Sequence, residues 1–428
     1  MPSTYNTAEP TSAMVKTAIV PLVLIVSLFF FWGGAASLND ILIKQFKKAF
    51  ELSDLQAGLV QSAFYLGYFL FAMPAAMFMR RYSYKAAVVL GLLLFATGAF
   101  LFYPAAEVHT YGLFLLALFV IVSGLAFLET SANSLVITLG PAEGAARRLN
   151  LAQAFNPLGA MAGVVIGSHF IFSGIEHQAQ ELTSMTAAAR DAYFAAESSA
   201  VQVPYLVIGL VVLLWALLVA LVKFPAAKEQ QKHETTAGAQ LGQLVRNRHF
   251  VMAVVSQFFY VGAQVGIWSF LIRYVQDVVP GTPEKTAAGY LTFSLAIFMC
   301  GRFIGAALLR KVSASSLLSA FALIDLVLCA VAILVPGQIG LYALVAASFF
   351  MSIMFPTIFV LGLDGLDDDH RKLGSSMMVM AIIGGGVLTA LMGWVSDLAG
   401  IHWSIAVPAL CFAFILTFAL RGRARVIA

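Results

Sequence analysis

The chain has 428 residues, of which 61% are hydrophobic and 11% charged; its mean hydropathy is +0.91 and its formal net charge +4. A soluble domain is about 25% charged. So few charges cannot clothe a water-facing surface, which excludes an ordinary soluble protein and makes lipid the main solvent.

Residues 1–17 are polar and lack a signal-peptide layout. The apolar run behind them is too long for a cleaved leader and is expected to be a retained first helix. About 20 apolar residues cross the hydrocarbon core as a helix, and runs this long satisfy their backbone in lipid only as helices. Twelve segments qualify: 18–38, 57–79, 86–104, 111–138, 149–173 and 203–222, then 250–276, 287–309, 315–335, 338–364, 373–396 and 402–421. The expected fold is all-α integral membrane, with twelve transmembrane helices in two six-helix bundles. Residues 1–222 form the first bundle, 223–249 a polar, basic cytoplasmic linker and 250–428 the second bundle. The other long connection, 174–202, is slightly acidic and has room for a short helix.

With both termini inside, 18 of the 25 Lys and Arg residues fall on the cytoplasmic side and 6 outside, with Arg302 in a helix. This asymmetry orients the chain. Cys300, Cys329 and Cys411 all sit in apolar stretches and the seven histidines are scattered, so neither a disulfide framework nor a metal site is expected.

Short matches between the halves point to parallel repeats, a transporter plan with its site between them. The tail ILIK of the first span pairs with FLIR of the seventh; ETSANSLVITLG of the fourth pairs with MSIMFPTIFVLG of the tenth. In this register Asp40 falls opposite Ser269 and Glu129 opposite Met351. The acids lie in the first half, while Tyr260, Gln264, Trp268 and Phe355 supply aromatic rings and an amide in the second.

Glu129 lies deep in the fourth span, where a carboxylate costs about 2.5–3.5 kcal/mol and must face a cavity or a partner. Burial in a low dielectric disfavours the charged form of a carboxyl group, the property a proton carrier needs; the alternative is a structural carboxyl bonded to neighbouring helices. Asn133 is one turn away on the same face. Ser37, Asp40 and Lys44 share a face of the first span, so Asp40 is either a second titratable group on the pathway or an interfacial partner of Lys44. Gln153 and Asn156 of the fifth span suit sugar hydroxyls, since an amide both donates and accepts. Its glycines 159, 163 and 167 are explained by close helix packing. Gly384, Gly385 and Gly386 mark packing or a bend. Arg302 is expected in the basic cluster at the cytoplasmic loop. Asp325 could pair with Arg302, titrate alone or sit at an oligomer contact, with a structural role preferred. The acidic run 364–369 reads as a solvated loop. No phosphate-gripping loop, zinc helix or nucleophile elbow is present, which argues against a nucleotide-fuelled pump and against an enzyme.

Seven blocks in order, SLFFFWGGAASLNDIL, GLVQSAFYLGYF, FLETSAN, RLNLAQAFNPLGA, QFFYVGAQVGIWSFLIRY, FPTIFVLG and IIGGGVLTALMGWVSD, resemble the fucose–proton symporter family of the major facilitator superfamily, which includes glucose/galactose permeases. The resemblance spans nearly the whole chain. It implies a twelve-helix carrier in the bacterial inner membrane that takes up a monosaccharide with a proton. It puts the proton-coupling acids at Asp40 and Glu129 and the helix 5 amides at Gln153 and Asn156. Ser37, Met354, Phe355 and Asp325 depart from the fucose permease pattern. The full expected sugar set is Gln153, Asn156, Asn133, Ser37, Gln264, Trp268 and Phe355. The expected partners are sugar, proton and bilayer, with no nucleic acid and no cofactor beyond the proton gradient, in a monomeric protein. The rival readings are a sugar uniporter, a small-molecule exporter and a non-transporting sugar sensor.

Overall fold

The structure is a computed structural model that describes residues 12–50, 54–171, 185–224 and 237–427. Every regular element among them is helical. The first half holds α1 (Ser12–Ala49), α2 (Asp54–Arg81), α3 (Tyr84–Glu107), α4 (Tyr111–Thr138), α5 (Ala145–Gln153), α6 (Phe155–Ile166), α7 (Ala187–Ser199) and α8 (Gln202–Leu221). The second holds α9 (Ala237–Arg246), α10 (Arg248–Val278), α11 (Glu284–Leu308), α12 (Ala314–Leu334), α13 (Gln338–Met351), α14 (Met354–Leu363), α15 (Asp368–Met380), α16 (Gly384–Ala399), α17 (Ile401–Ser404) and α18 (Ala406–Ile427). Among the described residues 11 stretches are long and apolar enough to cross a membrane. The 28-residue α2, with Arg80 and Arg81 in its last turn, is the remaining long helix and completes the expected twelve. The chain is a multi-pass membrane protein.

Helix ends follow from local sequence. Ser83, Asn247, Ser313 and Asp367 cap α3, α10, α12 and α15 by accepting from the first free backbone N–H groups. The basic residues near these loops also close C-terminal ends. Arg148 donates to the carbonyls of Val136 and Ile137 in the last turn of α4 and of Pro141 just beyond it. Lys85 donates to Ala220 and Val222 at the end of α8. Cations at helix C-termini meet the negative end of the dipole, so these basic residues finish the helices beside them.

Three spans are broken where their sequence allows it. The fifth changes from α5 to α6 at Ala154, the tenth is interrupted at Ser352–Ile353, and the eleventh tightens to a 3-10 turn at Ala381–Ile383. Apolar side chains turn outward as well as inward: Leu214, Phe293, Leu398 and Leu410 are exposed, the pattern of a lipid-facing surface.

α1 packs on α6 and α3 on α4 and α8, while α12 packs on α13 and α18 and α10 on α16 and α18. The two sets meet where α2 and α4 touch α15, and where α5 touches α11 and α14. These junctions lie at the end carrying Arg80, Arg81, Lys85, Arg147, Arg148, Arg371 and Lys372. There Tyr84 Oη donates to Asp368 at 2.9 Å, and Lys372 pairs with Asp368 at 2.7 Å. Residues 364–367 of the acidic run form the expected loop, with Asp364 and Asp367 exposed, and Asp368 and Asp369 open α15. Partial burial works to raise the Asp367 carboxyl, but the backbone N–H and ring of His370 outweigh it and hold that carboxyl below its usual range.

Candidate functional site

The middle of α4 carries a largely polar stretch in an apolar bundle: Glu129, Thr130, Ser131, Asn133 and Ser134 are all buried. Thr130 and Ser131 satisfy themselves by donating one turn back, to Ala126 at 2.7 Å and Phe127 at 2.6 Å. Glu129 Oε2, Asn133 Nδ2 and Ser134 Oγ have no protein partner among the described residues.

What orients this stretch begins in the other half. Pro157 has no N–H to give to the carbonyl four residues earlier, which leaves the Gln153 oxygen without its helical donor. Arg302 of α11 fills the gap, its Nη1 donating to Gln153 O at 2.5 Å and to Gln153 Oε1 at 3.3 Å. With its oxygen end held by a cation, the Gln153 amide turns its nitrogen to Asn133 Oδ1 at 3.0 Å. Asn133 is thereby turned so that its own Nδ2 stays free. One guanidinium thus sets two amides in series and leaves a donor at Asn133 one turn from an acceptor at Glu129. The Tyr68 hydroxyl, buried in α2, lies within electrostatic reach of Glu129.

The structure corrects the expectation that Arg302 belongs to the loop cluster. It is 5% exposed, two turns inside α11, with its guanidinium over the Phe298 ring at 4.8 Å. The signal for it was Pro157, whose missing N–H advertises an unpaired carbonyl. No ion pair joins Arg302 to Asp325 among the described residues. Asp325 is 0% exposed, with both carboxyl oxygens unpartnered, so it does not lie on an oligomer surface.

On the second half, Trp268 and Gln264 are partly buried on one face of α10. Trp268 Nε1 donates to Ser348 Oγ at 3.1 Å, and its ring meets Phe298 edge-on at 4.9 Å. Phe355 is 8% exposed and packs against Tyr260. The Tyr260 hydroxyl donates to Met351 O at 2.9 Å, taking a carbonyl at the interruption of the tenth span. Most polar atoms here are therefore already committed, and the rings remain as an apolar wall. Asn156 of α6 and Ser37 of α1 are partly buried. Asp40 lies on α1, but its side chain, like that of Lys44, is outside the described residues.

The glycines of α6 are packing residues. A Cβ on Gly159 would meet Phe30 O at 1.8 Å, and one on Gly33 of α1 would meet Asn156 O at 1.9 Å. In α16, a Cβ on Gly384 would meet Phe258 O at 2.2 Å and one on Gly385 the Tyr65 ring at 2.8 Å. A cavity of about 230 Å³ between α1, α2, α3, α4, α6 and α8 is lined by apolar residues such as Phe30, Ile121 and Val211. None of the candidate polar residues reaches it, so it is separate from the site.

Residues 22–381 match the Major Facilitator Superfamily. The chain is 47% identical over 420 residues to the L-fucose-proton symporter of Escherichia coli K12, covering 97% of this chain and 96% of that one. It is 36% identical over 420 residues to a glucose/galactose transporter of Brucella abortus, covering 98% of each. A crystal structure of the transporter FucP in the outward conformation matches with a TM-score of 0.88 at 47% identity, over 95% of this chain and 99% of that one. With this likeness along nearly its whole length, the chain belongs to the fucose–proton symporter family of the major facilitator superfamily.

Proposed function

We propose that the protein carries a monosaccharide, L-fucose or a related hexose, into the cell together with a proton by alternating access. The observation that carries this reading is Glu129: a carboxyl group buried at mid-span, with Oε2 unpartnered, beside an oriented amide donor. An ionised carboxylate left unpaired in a bundle is costly. The pathway therefore favours the acid carrying its proton, and a sugar hydroxyl, which donates and accepts, can bridge Glu129 and Asn133. Gln153 holds that pair in register, Asn156 and Ser37 add polar contacts nearer the opening, and Asp40 serves as a second titratable group. Across the pathway Gln264 offers an amide while Trp268 and Phe355 pack against the apolar face of the sugar ring.

In our reading the basic end of the bundle is cytoplasmic, by the excess of Lys and Arg there, and both termini lie inside. The halves touch at that end, so the state described is closed to the cytoplasm, and the outward conformation of the related FucP structure supports the same assignment. The protein acts as a monomer, in the bacterial inner membrane, and without a cofactor.

Uptake by proteoliposomes tests the reading, with L-fucose, D-glucose and D-galactose offered with and without an inward proton gradient. Gradient-driven accumulation of one sugar is expected. Equilibration without accumulation would instead make the protein a uniporter. Glu129→Gln, which fixes the site in a neutral form, is expected to abolish accumulation while sugar exchange between the two faces continues. Undiminished accumulation by that variant would remove Glu129 from proton coupling.

A further inference from the structure

Below the site just described, toward the closed end, two more amides are buried with spare hydrogen-bonding capacity. Gln257 of α10 is 0% exposed, and neither its Nε2 nor its Oε1 has a partner among the described residues. Asn150 of α5 is also 0% exposed; its Nδ2 donates to Ala146 O at 2.8 Å and to Thr357 Oγ1 at 3.1 Å, while its Oδ1 has no partner. A buried amide group left unpaired costs about 1–3 kcal/mol, and packed interiors tolerate few of them.

Their positions give the cost a purpose. Gln257 precedes Gln264 by two helical turns, about 10 Å along the axis, and so lies directly beneath it on one face of α10. The flanking faces are occupied: Tyr260 bonds to Met351 of α13, and Ala253 meets Gly362 of α14. On the other side Gly262 and Phe258 meet Leu388 and Gly384 of α16. The face between them carries Gln257, Gln264 and Trp268. In the first half Asn150 lies one turn beneath Gln153, on the stretch of α5 that meets α11 and α14. Its bond to Thr357 of α14 crosses between the halves, and breaks when they part.

We propose that Gln257 and Asn150 form an exit-side sugar subsite, sealed in the state described and uncovered when the halves open at the basic end. This rests on the symporter reading above and extends it to the face opposite entry. Parting the halves releases Asn150 Nδ2 from Thr357 while its bond to Ala146 O stays, so Asn150 presents one donor and its free Oδ1, and Gln257 a complete amide, to vicinal hydroxyls. The amides are thus arranged in two descending ladders, Asn156, Gln153 and Asn150 in one half and Gln264 and Gln257 in the other. A sugar passes from rung to rung without leaving its hydroxyls bare. The unpaired amides also raise the free energy of the sealed state, which helps it yield to the inward-open one.

The test compares the two faces of the membrane. Wild type, Gln257→Leu, Gln257→Asn and Asn150→Ala are reconstituted in oriented proteoliposomes, with radiolabelled L-fucose and D-galactose as probes. KM for exchange is measured separately at the cytoplasmic and external faces, and size-exclusion profiles confirm folding. Gln257→Leu, which conserves volume, is expected to raise the cytoplasmic KM about tenfold, the loss of one or two neutral hydrogen bonds, and to leave the external KM unchanged. Gln257→Asn should recover part of the loss, and Asn150→Ala should shift the same face. A cytoplasmic KM unchanged in Gln257→Leu would overturn the subsite and leave buried water as the amide's partner. An equal rise on both faces would also overturn it, since a general structural defect has no sidedness. Wild-type protein that moves neither sugar would overturn the symporter reading itself.

Discussion

Arg302 draws together most of what single residues contribute. Its charge is buried at the join between two halves that must separate, which would be a poor place for it if rigidity were the only requirement. Hydrogen bonds from a charged donor are worth about 1.5–3 kcal/mol, and both that Arg302 makes to Gln153 end on the other half. Arg302→Met keeps the volume and the contact with Phe298 but removes the donor. We expect it to weaken the closed end by about 2 kcal/mol and to free the Gln153 amide to rotate. Two readouts follow: a thiol placed at the closed end reacts faster with a reagent applied from the cytoplasmic face, and sugar affinity at the external face falls. Unaltered thiol reactivity would show that the guanidinium does not hold the gate. Neither Arg302 nor Tyr68 stood out in the sequence as part of the site. An arginine eight residues before a basic loop reads as a loop charge until the opposing carbonyl is seen, and a tyrosine in an apolar helix reads as packing.

Among the elements, the contact between α1 and α6 sets the geometry of the polar wall, because Ser37 and Asn156 ride on these helices. The two backbones approach so closely that Phe30 O occupies the space of a Gly159 side chain. No rotamer change relieves a clash with backbone, so Gly159→Val must push the helices apart. Overpacking of this kind costs about 1–3 kcal/mol or more. The expected result is a lower thermal midpoint for the detergent-purified protein and loss of sugar binding; an unchanged midpoint would mean that α1 can shift freely along α6. The breaks in α5–α6 and α13–α14 belong to the same scale. Pro157 and Pro356 are visible in the sequence, and a proline in a helix interior predicts a freed carbonyl. Which side chain takes a carbonyl at each break, Arg302 that of Gln153 freed by Pro157 and Tyr260 that of Met351 where the tenth span is interrupted, depends on helices more than 90 residues away.

For the molecule as a whole, the decisive feature is the junction of the two bundles at the basic end. Ser376 of α15 donates to the Met73 sulfur of α2 at 3.6 Å, and Tyr84 reaches Asp368 across the same junction. Cysteines placed at positions 73 and 376, joined by a short bifunctional thiol reagent, are expected to trap the carrier closed to the cytoplasm. Uptake should stop on cross-linking and resume when a cleavable linker is cut, while sugar still binds from outside. Continued transport by the cross-linked protein would show that opening does not require α2 and α15 to part.

The sequence by itself determined the solvent, the number of long helices and the resemblance that placed the chain in its family. These depend on composition, on apolar run length and on seven conserved-order blocks, all of them local properties of the chain. It also marked Glu129, Asn133, Gln153 and Asn156, because a polar side chain at mid-span is conspicuous wherever it points. Only the tertiary structure decided that Gln153 and Asn133 hold each other, that Arg302 crosses to the opposite half, and that Gln257 and Asn150 are sealed with bonds to spare. A hydrogen bond is set by the position of two atoms within about 3 Å. For partners on different bundles, that distance is fixed by how whole helices pack and by the state the carrier occupies, neither of which is written in the spacing of residues along one helix.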